Sequence, residues 1–259
     1  MFGIFACMYL EFSQKLNKIL EGVSNCLIIP HKNPDADALG SSMALFVFLT
    51  KLGKKVKVIL PNSAPEYLEW MTNKPDVISY DENSEKTKRY LSNSQIIFAL
   101  DFNSLKRIGS LGKEIENIKT PIIMIDHHES PESFSSLFLS RPNIGSTSEM
   151  IYNILKLINN MLIDKEIATY IYSGILTDTG SFRYPLTSGT THYIISELFK
   201  KNINHTDIHK KIYDNFSFER IHLLAVALKN FKLLQKLGVA YTILSKENLE
   251  KYNFKKGDT

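Results

Sequence analysis

Residues 27–42 read LIIPHKNPDADALGSS, and the abrupt change of character within this stretch decides the fold. Leu27, Ile28 and Ile29 form an all-apolar run, the pattern of a strand buried on both faces of a sheet. His31, Asp35 and Asp37 follow at once. Pro34 stops the strand, and Asp35 or Asp37 is placed to cap a helix through Ala38, Leu39, Ala44, Leu45 and Phe48. Open α/β sheets carry their chemistry at the carboxyl ends of strands, where a strand runs into a helix. One imidazole and two alternating carboxylates held there make an oxygen-rich site with one nitrogen donor, suited to Mn²⁺ or Mg²⁺. A helix cap in a solvated loop would explain one such Asp, but not H-x3-D-x-D directly after a buried strand.

Outward from this stretch the chain alternates. Glu11–Leu20 has helical spacing, Ser41–Leu52 continues the helix that Gly53 ends, and Lys55–Leu60 (KVKVIL) is a strand. Pro61–Pro75 reads as a loop with a short helix, Asp76–Tyr80 as a short strand and Ser84–Leu91 as a polar helix. Gln95–Leu100 (QIIFAL) runs into Asp101 and, after a helix around Lys113–Asn117, Pro121–Ile125 (PIIMI) runs into Asp126, His127 and His128. Strands separated by helices of this size imply an α/β fold: a mainly parallel sheet with helices on both faces. Three buried strands thus end in metal-competent side chains, and a parallel sheet brings such ends to one edge. Three of the seven histidines lie there, more than packing alone accounts for. Glu166–Leu176 is an amphipathic helix, and Asp178 follows in what reads as a Thr/Gly-rich turn.

Composition agrees with a soluble domain. The 259 residues are 44% hydrophobic and 22% charged, with net charge +4, a balance that gives weak support for a polyanionic partner. Two cysteines, Cys7 and Cys26, are too few for a disulfide framework, so a reducing cytoplasm is expected. The apolar start MFGIFACMYL is too short to span a bilayer and lacks a basic flank; Met8 is an alternative start.

HKNPDADALGSS, the DFNS after QIIFAL, IDHHES and GILTDTGSFRY together resemble the four motifs of the DHH phosphoesterases, in the family's order, over roughly residues 25–184. The length, and the segment Gly145–Glu149 (GSTSE) before a helix, most resemble the nanoRNase group. That resemblance implies a Mn²⁺-dependent enzyme using two ions, with Mg²⁺ or Co²⁺ as substitutes. It would hydrolyse short oligonucleotides or 3′-phosphoadenosine 5′-phosphate. It also implies the roles. His31 and Asp35 would bind one ion, Asp37, His127 and Asp178 the other, and Asp101 would bridge them. His128 would contact the scissile phosphate, with Asp126 orienting an imidazole. Ser104 and Arg183 are candidate phosphate contacts, although a helix cap and a surface salt bridge explain them as well. Expected partners are the nucleotide substrate and, as one arrangement, a second copy of the chain, but neither long duplex nucleic acid nor a membrane. Cyclic dinucleotide hydrolysis is the main rival, and a catalytically weak metal-binding or regulatory protein is the rival of another class. Pyrophosphatase activity is disfavoured because cations to hold a free polyphosphate are not evident around the motifs.

Beyond Tyr184, residues 190–201 and 206–213 read as helices, and Phe218–Leu237 as one long linker helix whose apolar stripe fades at Gln235. Gly238–Leu244 reads as a strand and Lys246–Asn253 as a short helix. The expected organisation is a catalytic domain over residues 1–186, a helical linker over 187–237 and, from 238 to 259, the opening of a substrate-binding domain. The family pattern continues past this point, so the chain is expected to be C-terminally truncated.

Overall fold

The structure is a computed structural model and describes residues 2–214 and 217–254. The elements follow in order. Helix α1 (Phe2–Glu21) precedes strand β1 (Asn25–Pro30), helix α2 (Ala36–Lys51) and strand β2 (Lys55–Leu60). Then come α3 (Glu69–Thr72), β3 (Val77–Ser79), α4 (Ser84–Asn93), β4 (Ile96–Leu100), α5 (Ser110–Glu116) and β5 (Ile122–Asp126). Strand β6 (Leu137–Ser140), α6 (Thr147–Asn159), α7 (Lys165–Asp178), α8 (Gly189–Phe199) and α9 (His205–Tyr213) complete the first part. Helix α10 (Phe218–Lys229), strands β7 (Lys232–Leu234) and β8 (Val239–Tyr241), and helix α11 (Lys246–Lys251) follow.

The first six strands form one parallel sheet in the order β3-β2-β1-β4-β5-β6. Alternate residues of each strand feed separate cores, as the two-residue period of a strand requires. Leu27, Ile29, Ile97 and Ala99 meet Leu91, Leu111 and Ile115 from α4 and α5. Ile28, Val58, Phe98 and Leu100 meet α1, α2, α6 and α7 on the other face. The sheet is therefore covered on both sides, which is why its strands read as continuous apolar runs. The chain leaves β1 towards β2 on one side and returns to β4 on the other, so the switch point of the sheet lies between β1 and β4.

Helix α2 is buried along nearly its whole length and packs against α7. The approach is close enough to need glycine: a Cβ at Gly40 would stand 2.5 Å from the carbonyl of Tyr170. One at Gly174 would stand 2.0 Å from Ser148 Oγ and 2.6 Å from Asp37 Oδ1. These two positions let three helices converge under the carboxyl edge of the sheet.

Two expectations are corrected. Asp178 is not in a turn; it is the last residue of α7, with Thr179 as the C-cap. Thr177 lies inside the helix, its hydroxyl donating back to the carbonyls of Ser173 and Gly174. Nor is there one helix from Phe218 to Leu237. Helix α10 ends at Lys229, and the chain turns into β7, which pairs antiparallel with β8. Asn230 caps the helix and sends its side-chain amide to the carbonyl of Ile243, which holds the turn across the hairpin. The short edge strand β6 has no counterpart in the sequence reading. Among the described residues, no helix is long and apolar enough to cross a membrane.

Candidate metal centre

The ends of β1, β4 and β5 bring their side chains to one edge, and α7 delivers Asp178 to the same place. Three sets of ligand atoms each lie within 4.8 Å of one another: His31, Asp35 and Asp101; Asp37, His127 and Asp178; and Asp101, His127 and His128. Asp101 belongs to two sets and so does His127. All the residues expected as ligands are thereby gathered.

Local structure aims each donor. Asp35 caps α2, its Oδ1 accepting from the N–H groups of Asp37 and Ala38 at 3.0 Å each, while Oδ2 stands 3.6 Å from His31 Nε2. His31 Nδ1 lies 2.9 Å from the carbonyl of Lys32, which makes Nδ1 the protonated nitrogen and leaves Nε2 pointing into the cluster. That Nε2 is buried with no hydrogen-bond partner and is 3.4 Å from Asp101 Oδ2. His127 is set the same way, with Nδ1 on the carbonyl of Ile144 at 3.1 Å and Nε2 3.2 Å from Asp178 Oδ2. Fixing the outer nitrogen on a carbonyl is the usual device for presenting the inner one to a metal. His128 differs: Asp126, fully buried, accepts its backbone N–H at 3.0 Å and faces its Nδ1 at 2.7 Å. The imidazole that Asp126 orients is therefore that of His128.

Asp101 has a left-handed backbone, φ 64°, as have Asn33, Ser130, Ser181 and Phe182 in the segments after β1, after β5 and after Asp178. Non-glycine residues adopt this conformation only when their surroundings impose it, and such strain gathers at functional sites.

Electrostatics state the need for a cation. Burial raises the pKa of Asp37 well above the carboxylate range, and the charges of Asp101 and Asp178 add to it. Burial likewise raises Asp178, more than His127 offsets, with Asp101 and Asp35 pushing the same way. Burial disfavours the charged imidazoles, but Asp101 and Asp35 outweigh it at His31 and push its pKa up to about 10. Asp178, Asp37 and Asp101 do the same at His127, also to about 10. At Asp35, His31 and the two N–H groups overcome the cost of burial and hold the carboxyl below its ordinary range. Carboxylates crowded like this, with imidazole nitrogens turned towards them, fit divalent metal ions, which would take the place of the imidazole protons: oxygen donors in majority, imidazole in minority, and an orphaned buried Nε2.

The two candidate phosphate contacts are held locally. Ser104 caps a short 3₁₀ turn, its Oγ accepting from the N–H of Lys106 at 3.3 Å. Arg183 donates from Nε to the carbonyl of Gly180 at 2.6 Å. Beside Asp35 a hollow of about 560 Å³ is lined by Asn33, Pro34, Asn62 and Tyr67 among others. What the sequence reading missed is the first turn of α6. Thr147 and Ser148 send their N–H groups to Asp37 at 2.6 and 2.9 Å. Its signal was Ser146 followed three residues later by Glu149, a helix-start pattern; Ser146 does cap α6, accepting from the N–H of Glu149.

Comparison with known proteins agrees with this geometry. The model of the DHH family, N-terminal domain, matches residues 25–175. The probable bifunctional oligoribonuclease and PAP phosphatase NrnA of Streptococcus mutans is 28% identical over 240 residues, covering 93% of this chain and 72% of that protein. The bifunctional oligoribonuclease and PAP phosphatase NrnA of Thermus thermophilus is 30% identical over 191 residues, 73% of this chain and 54% of that protein. An exopolyphosphatase-related protein from Bacteroides fragilis superposes with a TM-score of 0.92 at 36% identity, covering 96% of this chain and 73% of that one. With the motif residues converging on one metal-competent edge and the family match spanning the sheet that carries them, this chain belongs to the DHH family of metal-dependent phosphoesterases.

Proposed function

We propose that this enzyme hydrolyses short oligonucleotides and 3′-phosphoadenosine 5′-phosphate, using two Mn²⁺ ions. The observation that carries the reading is that Asp101 faces both groups of donors, with Oδ2 3.4 Å from His31 Nε2 and Oδ1 3.5 Å from His127 Nε2, the arrangement a bridging carboxylate needs. His31 and Asp35 would hold one ion, and Asp37, His127 and Asp178 the other, with Asp101 between them. When bound, such a pair activates a water and neutralises charge on a phosphoryl group under in-line attack. The chain's own residues do the rest. Asp126 holds the His128 ring through Nδ1, which leaves Nε2 as the ring nitrogen available to the phosphoryl group. The hollow beside Asp35 has amides, a phenol and prolines in its wall, with Glu66, Asp81 and Glu82 beside them; its size is that of a small-molecule site, and it would take the uncharged nucleoside part, with the phosphates at the metal centre. Relatives named as oligoribonuclease and PAP phosphatase support this substrate class. In this reading residues 1–186 form the catalytic unit, 187–237 link it onward, and residues from 238 begin the part that grips the nucleotide.

Side-by-side hydrolysis of a dinucleotide, a cyclic dinucleotide and 3′-phosphoadenosine 5′-phosphate with Mn²⁺ tests the proposal. The linear dinucleotide and 3′-phosphoadenosine 5′-phosphate are expected to be cleaved, and the cyclic compound more slowly. Faster cleavage of the cyclic dinucleotide would reassign the substrate. Turnover of none of the three would overturn the reading.

A further inference from the structure

We infer that Thr147 is a positioning residue that locks the two halves of the metal centre to a single helical turn; the inference rests on the two-ion reading above. Thr147 is fully buried in the first turn of α6. Its backbone N–H donates to Asp37 Oδ2 at 2.6 Å, and its hydroxyl donates to Asp101 Oδ1 at 2.8 Å. Asp37 stands in one ligand set and Asp101 in the other two. One residue, which the ligand assignment leaves out, therefore holds both.

The chemistry of the contacts favours a positioning role over chance pairing of a buried hydroxyl. Ser148 N–H takes Asp37 Oδ1 at 2.9 Å, so each carboxylate oxygen of Asp37 receives one bond from α6 and keeps a lone pair for another partner. The free N–H groups of a helix start favour a negative charge there. Helix α7 closes the cradle from behind, because Gly174 leaves no room for a Cβ beside Asp37 and Ser148. Thr147 is fully buried, and its hydroxyl is turned to Asp101. A hydroxyl has a single proton, and here it is committed to Asp101. Held in this way, Asp37 and Asp101 are fixed relative to each other before any ion arrives.

Calorimetric titration of Mn²⁺ into metal-stripped wild type, Thr147→Ser and Thr147→Val tests this without reference to substrate. Valine keeps the shape and removes the donor; serine keeps the donor and removes a methyl. Thr147→Val is expected to lose about 10- to 100-fold in Mn²⁺ affinity, the usual cost of removing a group that orients a ligand. Thr147→Ser should stay within about threefold of wild type, a bound set well inside that loss. The EPR signal of a spin-coupled Mn²⁺ pair should weaken in the valine variant towards that of isolated ions. Wild-type affinity in Thr147→Val, or equal losses in both variants, would overturn the inference, since the hydroxyl would then not be what matters. Absence of Mn²⁺ binding by the wild type itself would instead remove the two-ion reading and this inference with it. Unfolding temperatures of the metal-free proteins identify a variant that has merely failed to fold, and Thr147→Ala then takes its place.

Discussion

Strands β1 and β8 are both written largely in apolar residues, yet β1 is buried over Cys26–Pro30 and β8 is exposed at every position. The same contrast separates helices α2 and α10. Helix α2 buries residues on every side, whereas α10 buries Leu223 alone and leaves Phe218, Ile221, Leu224 and Leu228 in solvent. Hydrophobicity is nearly the same currency in both regions; what differs is the number of layers. In the first part the central strands have helices on both faces, so their apolar side chains meet others. In the second, one hairpin and two short helices have no layer over them among the described residues, and similar side chains are exposed. Apolar patterning selects an element, and burial comes only with the opposing face.

The sharpest way to break the contrast is at its functional end. Asp101→Asn keeps size and backbone tolerance but removes a shared charge, and metal-dependent phosphoester hydrolysis should fall by at least about 10³-fold, as loss of several kcal/mol of metal-centred stabilisation requires. Undiminished turnover with normal metal content would mean that Asp101 bridges nothing. Next in size, Gly174→Ala forces a methyl onto Ser148 and Asp37 and should cost about 3 kcal/mol in denaturant unfolding, the upper range for overpacking. Leu228→Ala, in the exposed part, should cost no more than about 0.5 kcal/mol. Similar costs for the two would show that the tail has a core after all. A third comparison is internal to the site: His127→Ala should release metal, while His128→Ala should retain it and lower turnover by about 10²-fold. Metal analysis of the purified variants decides this, and equal loss would make His128 a ligand too, as its place in the set with Asp101 permits.

The smallest effect concerns Glu149, nearly fully buried, whose carboxylate accepts from the Thr191 hydroxyl at 2.8 Å. Burial raises its pKa, more than Thr191 lowers it. The folded chain thus holds this proton more tightly than the unfolded chain. The stability it brings is complete in acid, below the ordinary carboxylate pKa, and is lost as pH rises through the higher folded pKa. Glu149→Gln, which cannot ionise and can still accept from Thr191, should be more stable than wild type at neutral pH by about 1 kcal/mol, the size of one imperfectly satisfied buried polar group. The advantage should shrink as pH falls. A pH-independent difference in unfolding temperature would show that Glu149 is protonated throughout or compensated by a neighbour.

Much of this was legible in the chain because it is local. The runs before His31, Asp101 and Asp126 announce buried strands, and the residue types after them announce a cluster of metal-competent side chains. Asp35 as a cap follows from its place beside Pro34. Three features were not legible, each for a physical reason. Strand β6 is four residues long at a sheet edge, with Phe138 exposed, so it carries no burial pattern. Helix α7 continues through Thr177 to Asp178, a residue pair whose turn-forming character gave no sign of the helix. The bonds from Thr147 and Ser148 to Asp37 cross 110 and 111 positions of sequence, and no periodicity reports a contact of that range.

The shared position of Asp101 also has a consequence for the order in which the molecule is made. In the proposed two-ion reading the ligands run from His31 at the end of β1 to Asp178 at the end of α7, so the first would leave the ribosome long before the last. Parallel strands joined by crossovers gain their contacts only after long loops have closed, which makes such sheets slow to assemble. An ion that needs Asp37, Asp101 and Asp178 in one place has nothing firm to bind until α7 is seated. In that reading metal loading would mark the completion of the sheet rather than its nucleation. Added Mn²⁺ should accordingly slow unfolding of the native protein while leaving the rate of refolding nearly unchanged.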